Sequence, residues 1–186
     1  MIHEYCAEWD DILIRPLHRY DLEYLREWRN TDDNNKYLRN IGFITKEMQL
    51  EWFKYYLLDK NSAFFVIDYK RKRTVGSLAI YDIDSEKCQI GKLLIGDKDA
   101  RGHRISEKAF LMAMKIGYEY LNINEYSLTV HEDNIPARRV YEEIGFSKTG
   151  TRSFEKGGNE IEMSALYTGL DIQKLKDIQL YYENEK

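Results

Sequence analysis

Arg101-Gly102-His103-Arg104-Ile105-Ser106 is the stretch of this sequence best suited to chemistry, because it stands directly before a segment with helical periodicity. Backbone N–H groups that lead into a helix N-terminus have no intrahelical acceptor, and the helix dipole favours negative charge at that end. Three side chains in the stretch can carry positive charge, so its natural guest is a pyrophosphate. Taken alone, the same residues also read as a solvated basic turn, and the neighbouring elements have to decide. Asn134 is a second polar position of interest: it can cap a short helix, and its amide also has donor and acceptor groups for a ligand.

The elements that must position these residues follow from hydrophobic spacing. Residues 11–17 read as a short aliphatic strand, and Asp21 as the cap of a helix with Leu22, Leu25 and Trp28 on one face. Thr45 is placed to cap a second helix carrying Met48, Trp52 and Tyr55 or Tyr56. Runs 63–69, 74–83 and 87–95 read as an antiparallel meander. A polar loop, 96–104, leads to a long helix with Ile105, Ala109, Ala113, Ile116 and Tyr120 in register, and a strand over 125–130 follows. That order implies a crossover between two parallel strands and puts the loop at a strand's carboxyl end, where open α/β sheets bind ligands. A helix over 134–144 ending at Gly145, and strands 146–154 and 160–166, complete a single domain assigned to residues 1–170. The tail, 171–186, is expected to be helical.

Composition narrows the function classes. With 186 residues, 43% hydrophobic and 32% charged, the chain has the balance of one globular domain. A net charge of −4 without a clustered basic face argues against a nucleic-acid partner. Cys6 and Cys88 are far apart and lack C-x-x-C spacing, so neither a disulfide framework nor a metal site is expected. The first residues are acidic rather than basic, and no run approaches the roughly 20 apolar residues that span a bilayer. A soluble cytoplasmic protein with no membrane partner is expected.

Two segments carry a resemblance to the GNAT acetyltransferase superfamily, extending over about residues 12–166 and sharpest over 90–146. IGKLLIGDKDARGHRIS resembles that family's fourth strand and pyrophosphate loop, written Q/R-x-x-G-x-G/A, with Arg101 in first place. NIPARRVYEEIGF is similar to its second signature through Asn134, Ala137, Tyr141, Gly145 and Phe146. The sequence departs from the loop pattern at Arg104, where the family has glycine, and at Ser106, where it has glycine or alanine. A positive φ at Arg104 would be strained, while its guanidinium could add a contact to a phosphate that glycine cannot make.

The resemblance implies a mixed α/β fold: a mostly antiparallel sheet with one splayed parallel pair and flanking helices. It implies acetyl-CoA as cosubstrate and no metal. The cofactor would lie along the backbone of Leu93, Leu94 and Ile95, on the loop Arg101, Gly102, His103, Arg104, Ile105 and Ser106, and beside Asn134 and Tyr141. Tyr141 would give a proton to the departing thiolate, a phenol of pKa about 10 facing a thiol of about 8.5. Many relatives carry a glutamate early in the fourth strand, where Gln89 stands here, so His131, Glu132 or a water relay is left to act as base. The acceptor pocket would involve Trp28, Arg29, Asn30, Tyr37 and Trp52, although both tryptophans also read as core. The expected acceptor is a small-molecule amine such as an amino sugar, ahead of a protein N-terminus; a homodimer is compatible with the pattern. A reading of another class is a coenzyme A binding module without catalysis.

Overall fold

The crossover expected between residues 87 and 130 organises the fold. In the computed structural model, β5 (Lys87–Ile95) leads into α4 (Ile105–Leu121), which returns along the sheet to β6 (Glu125–His131), parallel to β5. The structure describes residues 2–35, 37, 42–70, 73–154 and 157–185. Before the crossover lie β1 (Tyr5–Trp9), β2 (Ile12–Pro16), α1 (Leu22–Arg29), the short α2 (Asp32–Asn35), α3 (Lys46–Leu58), β3 (Ala63–Tyr69) and β4 (Arg73–Asp84). After it come α5 (Ile135–Ile144), β7 (Ser147–Ser153), β8 (Asn159–Leu166) and β9 (Gln179–Tyr182). Among the described residues these strands form one sheet, ordered β7-β8-β6-β5-β4-β3-β2-β1-β9, antiparallel throughout except at β5 and β6. This is the mixed α/β architecture that the resemblance implied.

Each face of the sheet has its own apolar cover. The stripe Ile105, Ala109, Met112, Ala113 and Ile116 seats α4 on one face against Leu78, Ile80, Ile90 and Tyr126, all buried. Gly117 is required there: a Cβ would lie 2.3 Å from the Tyr126 hydroxyl, which donates to the Met114 carbonyl at 2.7 Å. On the opposite face α1 and α3 bury Leu22, Leu25 and Tyr56 against Phe64, Val66 and Ala79. Thr45 caps α3 as expected, accepting from the Met48 N–H at 3.3 Å. Asp21 does not cap α1 through its side chain; its carboxylate instead takes two hydrogen bonds from Arg15, at 2.8 and 2.9 Å.

The tail is a correction to the sequence reading. Residues 172–174 make one 3-10 turn, and Gln179–Tyr182 then adds a strand to the sheet edge, pairing Tyr5 with Tyr182 and Ala7 with Leu180. Polar residues dominate this segment, which suggested a solvated helix. The free edge of β1 wins because it gives the backbone of a Leu-Tyr-Tyr run, rich in β-forming residues, a ladder to join.

Beneath that edge His3 is buried, with Nε2 3.1 Å from the Phe64 carbonyl and Nδ1 accepting from the Tyr5 N–H. Burial lowers its pKa from 6.5 to about 4, against the pull of the Phe64 hydrogen bond. The unfolded chain therefore binds this proton more readily than the native one. Stability is complete above pH 6.5 and is lost as pH falls from 6.5 towards 4. Denaturant titrations at pH 7 and pH 5 should differ by about 2 kcal/mol through this residue, and His3→Gln should flatten that difference.

Candidate active site

β5 and β6 stay paired only over their first three residues, Lys87 with Glu125, Cys88 with Tyr126 and Gln89 with Ser127. Both strands continue well past that point, so a gap opens between them towards their carboxyl ends, with Leu93, Leu94 and Ile95 along its β5 edge. On the β4 side, β5 is held so closely that a Cβ at Gly76 would lie 2.5 Å from the Leu94 carbonyl oxygen. The β4–β5 register breaks between Ser77 and Ala79, and Lys92 in that bulge has φ 51°.

The loop after β5 is braced from the α1–α2 side. Trp28 packs over the loop's first residue, where a Cβ on Gly96 would lie 2.0 Å from the indole. Asn34 donates to the Trp28 carbonyl at 2.9 Å and accepts from the Arg101 guanidinium at 2.6 Å, and the same guanidinium donates to the Ile95 carbonyl at 3.3 Å. The Arg101 backbone N–H is used within the turn, by Lys98. Beyond it the pattern changes. From Gly102 to Glu107, among the described residues, no backbone N–H meets a protein acceptor, and the first bond into α4 is Lys108 N–H to the Arg104 carbonyl. Six consecutive donors, including those of His103, Ile105 and Ser106, thus stand at a helix N-terminus beside the gap, which suits a diphosphate.

Gly102 and Arg104 both have positive φ, 83° and 55°. The strain expected at Arg104 is therefore present, costing about 1 kcal/mol or more for a residue with a Cβ. The Arg104 side chain does not stand open for a phosphate: Nε and Nη2 donate to Glu107 at 2.6 and 2.7 Å. Glu107, with its side chain only 8% exposed, was not among the residues singled out by sequence, because its importance comes from that pairing. His103 turns Nδ1 to the carbonyls of Ala100 and Arg101, at 3.3 and 3.0 Å, leaving Nε2 outward.

Tyr141 reaches the gap from α5. Its ring is buried against Phe110 and Phe146, with centroids 5.0 and 6.2 Å apart, and no group among the described residues shares a hydrogen bond with its hydroxyl. Burial, followed by the nearby Tyr81 phenol, pushes its pKa well above the usual tyrosine range, so it holds its proton. Asn134 caps the same helix, accepting from the Ala137 N–H at 3.4 Å.

The base candidates are both engaged. His131 Nδ1 accepts from the Asp133 N–H at 3.2 Å, and Nε2 faces the Gly157 carbonyl at 3.4 Å, so neither nitrogen offers an unused lone pair. Glu132 is held by the side-chain and backbone N–H groups of Asn159, which lower its pKa, making it a weaker base. Gln89 donates to Asp82 at 2.9 Å.

The five acceptor-side residues take different places. Asn30 exchanges two hydrogen bonds with the Ile44 backbone, at 2.9 and 2.8 Å, and fixes the start of α3. Trp52 stacks on Tyr56 and meets Phe64 edge-on, as a core residue would. Trp28 covers Gly96. Arg29 is half-buried, and desolvation lowers its pKa. Tyr37 lies over the end of β6, its hydroxyl donating to the Asp133 carbonyl at 3.3 Å and its ring 5.6 Å from His131.

The family model of the Acetyltransferase (GNAT) domain matches residues 11–147, which includes the splayed pair, the donor loop and Tyr141. The chain belongs to the GNAT acetyltransferase family. A Methanocaldococcus jannaschii protein described as uncharacterized is 28% identical over 153 residues, 77% of this chain and 29% of that protein. This chain thus spans less than a third of that relative. Spermidine N(1)-acetyltransferase of Escherichia coli K12 is 22% identical over 139 residues, 75% of this chain and 74% of that enzyme. The solved spermidine N-acetyltransferase of Vibrio cholerae, in complex with CoA and spermine, superposes with a TM-score of 0.79 at 20% identity, covering 86% of this chain and 98% of that one. At that identity the likeness shows the GNAT fold alone. Within this fold two further residues stand at the gap that sequence reading did not single out, Tyr81 and Lys92. Tyr81 presents its hydroxyl to Gly91, where a Cβ would lie 3.3 Å away, and the Lys92 ammonium lies 4.3 Å from the Tyr81 ring centroid.

Proposed function

We propose that this GNAT protein is an acetyl-CoA-dependent N-acetyltransferase that acetylates a primary amine of a small molecule by direct attack on the thioester. The observation that carries this reading is the convergence, at one end of a splayed parallel pair, of six unpaired backbone donors and a buried phenol free to donate. When bound, acetyl-CoA supplies an acetyl group activated as a thioester. The N–H groups of residues 102–107 hold the diphosphate, and the open β5 edge over Leu93, Leu94 and Ile95 lines the pantetheine arm. A backbone donor near Leu94 or Ile95 stabilises negative charge on the carbonyl oxygen. Tyr141 gives its proton to the departing sulfur.

The acceptor class follows from proton chemistry. A lysine-like amine of pKa about 10.4 must lose a proton at a cost of roughly 4 to 5 kcal/mol at pH 7, whereas an amine near 8 needs about 1 to 1.5. With His131 and Glu132 both engaged, an amine of low pKa such as an amino sugar is favoured over polyamines. Tyr37 donates to the Asp133 carbonyl at the end of β6, beside His131, and a small molecule is taken as the acceptor ahead of a protein N-terminus. Thiol release from acetyl-CoA should be measured with amino sugars, spermidine, aminoglycosides and basic peptides. Turnover with amino sugars is the expected result. Turnover confined to peptides would move the acceptor to protein N-termini, and tight acetyl-CoA binding without turnover on any amine would leave a non-catalytic binding module.

A further inference from the structure

Pairing between β5 and β6 stops at Gln89 and Ser127, so the next residues, Ile90 and Gly91, form the inner end of the gap, away from its mouth at the donor loop. Ile90 is buried with α4 on one face, whereas Gly91, the partner of Ala79, faces α1 and α3. Gly91 has no side chain with which to cover that end, and Tyr81 covers it instead. The Tyr81 backbone pairs with Gln89, yet its phenol leans further along β5, so that a Cβ on Gly91 would lie 3.3 Å from the hydroxyl and 3.6 Å from Cε1.

The phenol is held in that position. Its ring packs on the Phe64, Val66 and Ala79 cluster, and the Lys92 ammonium lies 4.3 Å from its centroid. The contact depends on the bulge, where Lys92 takes a left-handed φ of 51° that a side chain adopts at a cost. From the α4 face Tyr141 stands with Phe110, close enough for Tyr81 to raise its pKa, so two phenols bound the same end of the gap from opposite faces. A thioester anchored by its diphosphate at the loop and running along Leu93, Leu94 and Ile95 arrives with its acyl group leading. Each methylene added to that group has to enter the space between the two phenols, because the anchor fixes the other end.

We propose that Tyr81 is a specificity-determining residue that restricts the donor to the acetyl group by closing the inner end of the gap. This rests on the acetyltransferase reading and deepens it on the donor side. The test measures two things for the native protein, Tyr81→Ala and Tyr81→Phe: calorimetric binding of CoA, acetyl-CoA and butyryl-CoA, and thiol release from acetyl-, propionyl- and butyryl-CoA with the best amine of the acceptor screen. One methylene too many in a closed apolar site is worth about 10- to 200-fold in discrimination. The native protein should therefore use butyryl-CoA at least about 100-fold less efficiently than acetyl-CoA and bind it at least about tenfold more weakly. Tyr81→Ala should bring both ratios to within about threefold while binding free CoA as the native protein does. Tyr81→Phe, which keeps the ring, should keep the native ranking, and Tyr81→Leu repeats the comparison if the alanine variant does not fold. Native binding and turnover of butyryl-CoA equal to those of acetyl-CoA, or a Tyr81→Ala protein that binds free CoA normally and still rejects butyryl-CoA, would overturn the role of Tyr81 and leave the acetyltransferase reading intact. Absence of thiol release with every amine would remove that reading, while the binding ratios would still decide whether Tyr81 limits the acyl group.

Discussion

Tyr141→Phe should lower kcat by about 10²- to 10⁴-fold, the usual worth of a positioned proton donor, while leaving the dissociation constant for acetyl-CoA nearly unchanged. The ring is what packs against Phe110 and Phe146, and phenylalanine keeps the ring. The hydroxyl has no bonding partner among the described residues, so its removal strands no donor or acceptor, and thermal stability should move little. The pKa of the phenol is raised, which taken alone makes it a poorer acid. A thiolate released into the same dry cleft is raised by the same desolvation, so the two groups remain matched for a late proton transfer. Because the phenol stays protonated across the working pH range, its ionisation should not shape the pH profile between pH 6 and 9. Single-turnover kinetics with calorimetry of acetyl-CoA binding separates the two effects. A Tyr141→Phe protein with native kcat would exclude the proton-donor role.

The signals that sequence carried well were those written in consecutive residues. The crossover from β5 through α4 to β6 is legible because strand and helix periods follow one another without interruption, and the strain at Arg104 because a glycine position is occupied by a residue with a Cβ. Long-range pairing is different. β1 and β9 recognise each other across most of the chain, Tyr5 with Tyr182, and neither segment announces its partner. The same holds at the site. Asn34 matters because it joins the Trp28 carbonyl to Arg101, and Glu107 because it faces Arg104, pairings that no local spacing encodes. Tyr81 and Lys92 meet across a bulge that shifts the β4–β5 register, and a one-residue shift of this kind is not written in either strand alone. His131 and Glu132 were legible as titratable groups near the right strand end, but their hydrogen bonds, which decide whether they can take a proton, were not.

Arg104→Gly, which places the family's own loop residue at this position, should weaken acetyl-CoA binding instead of improving it. Two effects oppose each other. Glycine relieves the left-handed backbone at φ 55°, a gain of about 1 kcal/mol. It also removes both hydrogen bonds to Glu107 and leaves that carboxylate in the first turn of α4, beside the donors that must receive a diphosphate. Repulsion between one carboxylate and a diphosphate roughly 8 Å away, at an effective dielectric of about 40, is about 2 kcal/mol, which corresponds to about 30-fold in affinity. The electrostatic loss acts on binding, whereas the backbone gain acts chiefly on folding, so the two do not cancel in the same measurement. Calorimetry should therefore show a dissociation constant raised about 30-fold, and denaturant titration a loss of stability from the stranded, largely buried Glu107 that the backbone gain offsets only in part. Pairing the change with Glu107→Gln should restore most of the affinity, because the added negative charge is then gone while the glycine remains. If Arg104→Gly alone bound acetyl-CoA more tightly than the native chain, Glu107 would not be the group that Arg104 neutralises for the cofactor.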